Sequence, residues 1–130
     1  MGIKSITVNY DDGRQITLDT DLKTTSIKRP IKQIKDGAKV NGLRVEILLA
    51  FDIAHTIFSS YGVDTVMTEG TGGTHGKASL HYVGLAIDLR TRDLTPTQQL
   101  EARDKLAIAL GAQYDVILES DHIHIEFQPK

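Results

Sequence analysis

The last strand-like segment of this sequence constrains the fold more than any other feature. From His122 to Phe127, polar and apolar side chains alternate one by one. Successive residues of a β-strand point to opposite faces, so the polar and apolar sets occupy different faces. The polar set is His122, His124 and Glu126, and the apolar set is Ile123, Ile125 and Phe127. This pattern predicts a strand with one face in the core and one face in a cleft or at the surface.

Residues 84–90 show the same division. One predicted face carries Leu85, Ile87 and Leu89, and the other carries Gly84, Ala86 and Asp88. Two very small side chains beside Asp88 leave space above the sheet, and a carboxylate in such a recess is costly to leave without a partner. Two explanations stay open from the pattern alone. Asp88 pairs with an Arg or Lys while the histidines are ordinary surface residues, or Asp88 and nearby histidines bind a cation such as Zn²⁺.

The remaining elements predict an α+β fold, with two main helices packed on a mostly antiparallel sheet. A hairpin at 3–19 turns at Asp12-Gly13, and residues 69–78 form a glycine-rich loop that lacks the ending of a phosphate-binding loop. Thr95-Pro96 indicates a helix start. The other predicted elements are a helix over 43–61 capped by Asn41 and ended by Gly62, a strand over 63–68, a helix over 96–109, and strands over 114–119 and 122–128.

Two segments carry apolar residues at helical spacing. In the helix at 43–61 the predicted buried face is Val45, Leu48, Leu49, Ile53, Ile57 and Phe58, and His55 in the same helix is not taken as a site residue. The basic segment 20–40 places Ile27, Ile31 and Ile34 around Pro30, which predicts a short helical turn. That segment is either a solvated connection or a contact surface for an anionic wall polymer.

Composition limits the remaining choices. The chain has 130 residues, 40% of them hydrophobic, which suits a single domain over 1–130, with a hairpin and basic connecting segment at 1–40 and a core at 41–130. A net charge of −2 argues against nucleic-acid binding. There is no cysteine, so a metal must be held by His, Asp or Glu. We expect a monomer without a membrane span or signal peptide, made in the cytoplasm.

Two motifs give a family resemblance. Residues 79–88, Ser-Leu-His-Tyr-Val-Gly-Leu-Ala-Ile-Asp, match the Ser-x-His-x-x-Gly-x-Ala-x-Asp motif of the M15 zinc peptidases. That family includes D-Ala-D-Ala carboxypeptidases, D-Ala-D-Ala dipeptidases and phage L-Ala-D-Glu endolysins. Asp121-His122-Ile123-His124 is similar to the family's second motif, an acid followed by His-x-His. The C-terminal half, including Thr68-Glu69-Gly70 and His75, also resembles the signalling domain of hedgehog proteins, which share this zinc fold.

The resemblance implies a set of roles. His81, Asp88 and His124 would bind zinc, and Asp121 would be the general base that activates a water molecule. Glu119 is the rival base, because a hedgehog-type alignment places the acid further upstream. Strict alternation turns both acids away from His124, so one of them must lie where the strand begins. His75 and His122 would flank the metal and donate to the oxyanion or the substrate, and His122 is an alternative ligand.

The resemblance has departures as well. Many relatives carry an Arg upstream of the first motif that binds the substrate carboxylate, whereas Glu69-Gly70-Thr71 stands here; Arg90 and Arg92 are substitutes to consider. Only Glu69 remains of the acidic calcium cluster of hedgehog domains, so no calcium site is expected. The implied function is hydrolysis of peptidoglycan peptides by zinc-activated water, with release of the protein to the cell wall during phage lysis if its substrate lies there. The alternatives are a non-catalytic zinc-binding module or phage structural domain, and a metal-free domain with surface histidines.

Overall fold

The computed structural model describes residues 5–19 and 25–129. The strands in these residues are β1 (Ser5–Asn9), β2 (Gln15–Asp19), β3 (Thr25–Lys28), β4 (Lys32–Ile34), β5 (Thr65–Glu69), β6 (Ala86–Arg90), β7 (Tyr114–Leu118) and β8 (His122–Phe127). The helices are α1 (Val45–Ser59), a short 3₁₀ helix (Leu80–Val83) and α2 (Pro96–Leu110). The α+β class is therefore confirmed, with two α-helices in the part of the chain that the structure describes.

Two sheets organise these strands. The larger sheet has the order β4-β5-β6-β8-β7, and all its pairs are antiparallel except the parallel β4–β5 pair. The prediction of a mostly antiparallel sheet is confirmed. The smaller sheet has the order β1-β2-β3, with both pairs antiparallel. Its β1–β2 hairpin was predicted over 3–19, and residues 3 and 4 lie outside the described residues.

The helical turn predicted around Pro30 is wrong. The chain forms β3 before Pro30 and β4 after it, and β4 pairs in parallel with β5. Isoleucines at helical spacing do not make a helix here, because proline restricts its own backbone and the residue before it. Pairing with strands elsewhere in the sequence then satisfies the backbone groups. Residues 20–24 of the basic segment lie outside the described residues.

Helix α1 exists as predicted, but its cap and its buried face differ. The residue before its first turn is Arg44, whose side chain makes no capping bond, so the assignment of Asn41 as the cap is wrong. Of the predicted face, Phe58 is buried, whereas Val45, Leu48 and Leu49 are exposed. The buried residues are Ile47, Ala50, Phe51, Ala54, Phe58 and Ser59. Apolar residues surround this helix, so periodicity alone did not fix which side faces the sheet.

Helix α2 begins as the sequence predicts. The Thr95 hydroxyl accepts from the Gln98 backbone N–H at 3.2 Å, and the Gln98 side-chain oxygen accepts from the Thr95 N–H at 2.9 Å. This reciprocal pair satisfies two backbone donors at the helix start, and Pro96 fits the first turn because it has no N–H to satisfy.

The core forms where both helices cover one face of the larger sheet. The buried apolar cluster joins Phe58 of α1 and Leu106 of α2 to strands β5, β6 and β8. From the central strands it contains Met67, Ile87, Leu89, Ile123 and Ile125, each 0% exposed. The opposite face of β6 and β8 is left for polar side chains, as the alternation predicted. No helix of the described residues is long and apolar enough to cross a membrane.

Candidate metal centre

His81 is held by the 3₁₀ helix that precedes β6. The Ser79 hydroxyl accepts from the His81 backbone N–H at 3.2 Å and caps this helix, which ends at Gly84 with φ of +79°. The His81 ring is 2% exposed, and its Nδ1 lies 2.8 Å from the Gly70 carbonyl oxygen. Because a carbonyl only accepts, Nδ1 carries the proton and Nε2 is left as the lone-pair nitrogen for a ligand. That Nε2 lies 3.4 Å from Asp88 Oδ1.

Asp88 and His124 face each other across the central pair of strands. They are direct partners in the antiparallel β6–β8 register, and His124 Nδ1 lies 2.9 Å from Asp88 Oδ1. Asp88 is 6% exposed, and Ala86 before it on the same face is 0% exposed. The predicted division of both strands is confirmed, because Ile87 and Ile125 on the opposite faces are fully buried.

These three residues form a group that could hold a metal ion. Donor atoms of His81, Asp88 and His124 all lie within 4.8 Å of one another. Ligand atoms of a tetrahedral site with bonds of about 2.1 Å are about 3.4 Å apart. The distances of 2.9 and 3.4 Å from Asp88 Oδ1 to the two imidazoles are close to that spacing, so small side-chain movements would admit an ion. Two imidazoles and one carboxylate also suit a divalent transition-metal ion.

The contacts within the group favour the charged forms of Asp88, His124 and His81. Burial alone would raise the pKa of Asp88, but hydrogen bonds from His124 and His81 outweigh it and hold that pKa well below its usual value. The hydrogen bond to Asp88 raises the pKa of His124 to about 9, against the opposing effect of burial. For His81, burial opposes the charged form, yet the contacts with Asp88 and the Gly70 carbonyl raise the pKa overall. Without a metal, a proton therefore occupies the place between Asp88 and its imidazole partners.

Glu126 holds the far side of His124. Its Oε1 lies 2.9 Å from His124 Nε2, so the carboxylate accepts a hydrogen bond from that nitrogen. The bond leaves Nδ1, the nitrogen nearest Asp88, for the metal position. Sequence reasoning placed Glu126 on the correct face but gave it no role. The i, i+2 spacing of His124 and Glu126 on one strand face was the sequence pattern that indicated this contact.

Glu69 and His75 form a second polar group beside the first. His75 Nε2 lies 2.8 Å from Glu69 Oε2 and 3.0 Å from the Gly72 carbonyl oxygen. The His75 ring stacks on the His81 ring, with centroids 4.1 Å apart and planes 6° apart. His75 thus lies beside the predicted ligands, as a flanking residue would. Glu69, His75 and His81 are themselves a group that could hold a metal ion.

His122 and the two candidate bases meet at the turn between β7 and β8. His122 Nε2 lies 3.4 Å from Glu119 Oε2 and 3.7 Å from Asp88 Oδ2. Asp121 contacts the other nitrogen of this ring, with its Oδ1 2.6 Å from His122 Nδ1. Glu119 and Asp121 both lie outside the strands, so the alternation that turned them away from His124 does not apply to them.

These groups line one open cleft of about 650 Å³. All seven predicted site residues are among its walls. The walls also carry three cations, Lys35, Arg90 and Arg92, and none of these makes a salt bridge with another described residue. The lining residues are Lys35, Thr68, Glu69, His75, Gly76, Ser79, His81, Asp88, Arg90, Arg92, Glu119, Asp121, His122 and His124. Lys35 was not predicted, because its place in the cleft depends on the parallel β4–β5 pairing.

Comparison with protein-family models, curated proteins and solved structures found no match for this chain. The candidate site is therefore interpreted from its own residues and geometry.

Proposed function

We propose that this protein is a zinc-dependent peptidase that hydrolyses bacterial cell-wall peptides. The observation that carries the proposal is the group of His81, Asp88 and His124 on the wall of an open cleft, with Glu119 nearby. Two histidines and one carboxylate with a free position toward solvent are typical of catalytic rather than structural zinc sites. The motifs at residues 79–88 and 121–124, which resemble those of D-Ala-D-Ala peptidases and phage endolysins, supply the substrate class and the proposed hedgehog/DD-peptidase fold.

Zinc fits the donor set better than a harder ion does. The imidazoles of His81 and His124 are nitrogen ligands, whereas Ca²⁺ and Mg²⁺ prefer oxygen. Both rings have the support that metal-binding histidines need, because the Gly70 carbonyl accepts from His81 and the Glu126 carboxylate accepts from His124. Bound zinc would lower the pKa of a water ligand to about 7 and polarise the peptide carbonyl.

The geometry favours Glu119 over Asp121 as the general base. Glu119 lies at the His122 nitrogen that faces Asp88, whereas Asp121 lies at the other nitrogen of that ring. The Asp121 side chain is also 85% exposed, against 48% for Glu119. A base must reach a water molecule at the metal position, so Glu119 is the residue that would accept a proton from that water and donate one to the leaving amine.

His122 is the better placed of the two flanking histidines to donate to the developing oxyanion. Its Nε2 lies 3.7 Å from Asp88, next to the metal position. His75 Nε2 is already in contact with Glu69 and with the Gly72 carbonyl. His75 therefore contributes mainly by packing its ring on His81.

The free cations of the cleft suit an acidic peptide. Arg90 follows Asp88 on the same face of β6, and Lys35 and Arg92 lie on the same cleft. The acids of the cleft contact histidines, so the cations are the charges left for a ligand. Wall stem peptides carry free carboxylates, which these side chains would bind in the absence of the upstream Arg of many relatives.

The test is incubation of zinc-loaded, untagged protein with purified muropeptides, followed by mass spectrometry of the products. We expect the protein to remove one peptide fragment from the muropeptide. A chelator should abolish this cleavage, and added zinc should restore it. Asp88→Asn, folded as judged by circular dichroism, should be inactive. Zinc bound at one ion per chain with no cleavage of any muropeptide would reject the peptidase and support a non-catalytic zinc-binding module. Absence of bound zinc would reject both.

A further inference from the structure

The Glu69–His75 pair resembles the pair formed by Asp88 and His124 in its contact distance and in the cover of its imidazole, although the Glu69 side chain is 38% exposed and that of Asp88 only 8%. In each pair a carboxylate oxygen lies within 3 Å of an imidazole nitrogen, at 2.8 and 2.9 Å respectively. In each pair the imidazole side chain is largely covered, with 18% exposed for His75 and 15% for His124. The proposed peptidase mechanism uses Asp88 and His124 but has no use for Glu69.

The glycine-rich loop is shaped around the Glu69 carboxylate. Gly73 has φ of +88°, and a Cβ there would lie 2.8 Å from the Glu69 carboxylate atoms. The positive φ favours glycine at this position. The Tyr82 hydroxyl ties the loop down, because it accepts from the His75 backbone N–H at 2.7 Å and lies 3.1 Å from the His75 carbonyl oxygen. The loop thus holds Glu69 and His75 together at the edge of the cleft.

His81 stands between the two groups but can serve only one ion at a time. Its donor atom lies within 4.8 Å of those of Glu69 and His75, as it does of those of Asp88 and His124. The Gly70 carbonyl occupies its Nδ1, so a single nitrogen is left. An ion at Asp88 and His124 would take that nitrogen. A second ion would then have Glu69, His75 and solvent as ligands.

We propose that Glu69 and His75 bind a second divalent transition-metal ion, more weakly than His81, Asp88 and His124 bind the first. The donor set of one imidazole and one carboxylate suits Zn²⁺. The 2.8 Å contact needs to open by about 0.6 Å to reach ligand spacing of about 3.4 Å, and the ion would replace the proton that His75 Nε2 shares with Glu69 and the Gly72 carbonyl. With fewer protein ligands, this ion binds only when free zinc is high.

The second ion would regulate the site, and this part rests on the proposed peptidase function. It would stand in the same cleft as Glu119 and the cations that receive the substrate. An added positive ion there blocks part of the cleft and draws substrate carboxylates away from the metal position. Excess zinc should therefore inhibit cleavage, and Glu69→Gln should relieve the inhibition.

Binding is tested by equilibrium dialysis of untagged protein against a range of buffered free zinc, with zinc per chain determined by elemental analysis. Wild type should take up one ion at low free zinc and a second at high free zinc. Glu69→Gln, which keeps the shape of the side chain, should lose only the second ion. The matched control is Glu101→Gln, the same change on the exposed surface of α2, which should keep both.

Two further variants separate this proposal from the proposed function. Asp88→Asn should lose the tight ion and keep a weaker one, because His81 Nε2 is then free to join Glu69 and His75. The double variant with Glu69→Gln should bind none. A second ion that persists in Glu69→Gln, or a wild type that never exceeds one ion, would overturn the second site. Uptake of both ions by the wild-type protein with no cleavage of any muropeptide would overturn the peptidase alone.

Discussion

Asp88 and His124 are direct cross-strand partners, with His124 Nδ1 2.9 Å from Asp88 Oδ1 at the centre of the larger sheet. The contact places a nearly buried carboxylate against a ring whose other nitrogen is held by Glu126. It joins the two motifs of the sequence through two residues that lie 36 positions apart. The first four predictions concern this contact and its surroundings.

Loss of the Asp88 carboxylate should remove the first metal ion. Asp88→Asn keeps the size of the side chain but replaces an anionic ligand by a neutral amide. Residues that only orient a ligand change metal affinity by up to roughly 100-fold, so the loss of a ligand itself should lower zinc affinity by more than that. Competition with a chromogenic chelator measures the affinity. Asp104→Asn, on the exposed side of α2, is the matched control and should bind as wild type. Equal affinity in the two variants would remove Asp88 from the ligand set.

Loss of the Glu126 carboxylate should weaken the metal site without abolishing it. Glu126→Gln still accepts a hydrogen bond from His124 Nε2 but no longer supplies negative charge, so zinc affinity should fall about 10- to 100-fold. The same chelator competition measures the zinc affinity, with Glu101→Gln as control. An unchanged affinity would mean that Glu126 does not orient His124.

Substitution of the two candidate bases should lower turnover to different extents. Glu119→Gln should keep zinc and lose about 10²- to 10⁴-fold in kcat, because no other carboxylate is as close to the nitrogen of His122 that faces Asp88 among the described residues. Asp121→Asn should lose far less. Cleavage rates of a muropeptide that the wild-type protein hydrolyses, with bound zinc measured in each variant, provide the comparison. The reverse ranking would assign the base to Asp121.

The metal-free protein should lose stability between neutral and alkaline pH. The pKa of His124 is raised from 6.5 to about 9 on folding, mainly by the hydrogen bond to Asp88. Its contribution is therefore full below about pH 6.5 and is lost as pH rises through about 9. Thermal unfolding in chelator at pH 6.5, 8 and 9.5 should give a falling Tm. His124→Gln should flatten that dependence, and a steep fall in this variant would place its cause elsewhere.

Close backbone packing at Gly84 should make that position intolerant of a side chain. Gly84 has φ of +79°, and a Cβ there would lie 2.0 Å from the Gly42 carbonyl oxygen. Gly84→Ala combines a left-handed backbone cost of about 1–2 kcal/mol with overpacking of about 1–3 kcal/mol. Gly62→Ala has a similar φ of +76° with nothing within 4 Å, so it isolates the backbone cost. Chemical denaturation of the metal-free variants measures both, and equal losses would exclude the clash.

Local pattern determined much of the site. The alternation in residues 84–90 and 122–127 fixed which side chains share a face, because the two-residue period of a strand is a property of the backbone. It placed Asp88 and His124 opposite the buried faces of their strands, and the structure has them there. The start of α2 was also predicted correctly, since the Thr95 cap depends on residues three apart.

Only the tertiary structure decided the rest. The β6–β8 register sets Asp88 against His124, and the parallel β4–β5 pairing brings Lys35 to the cleft. Both pairings join residues far apart in sequence. Hydrogen bonds between strands, rather than local preference, choose the partner in such pairings. The side of α1 that is buried was equally undetermined, because its apolar residues surround the axis and the sheet selects among them. The pairing of Glu69 with His75 depends on a loop conformation that glycines allow but do not by themselves specify.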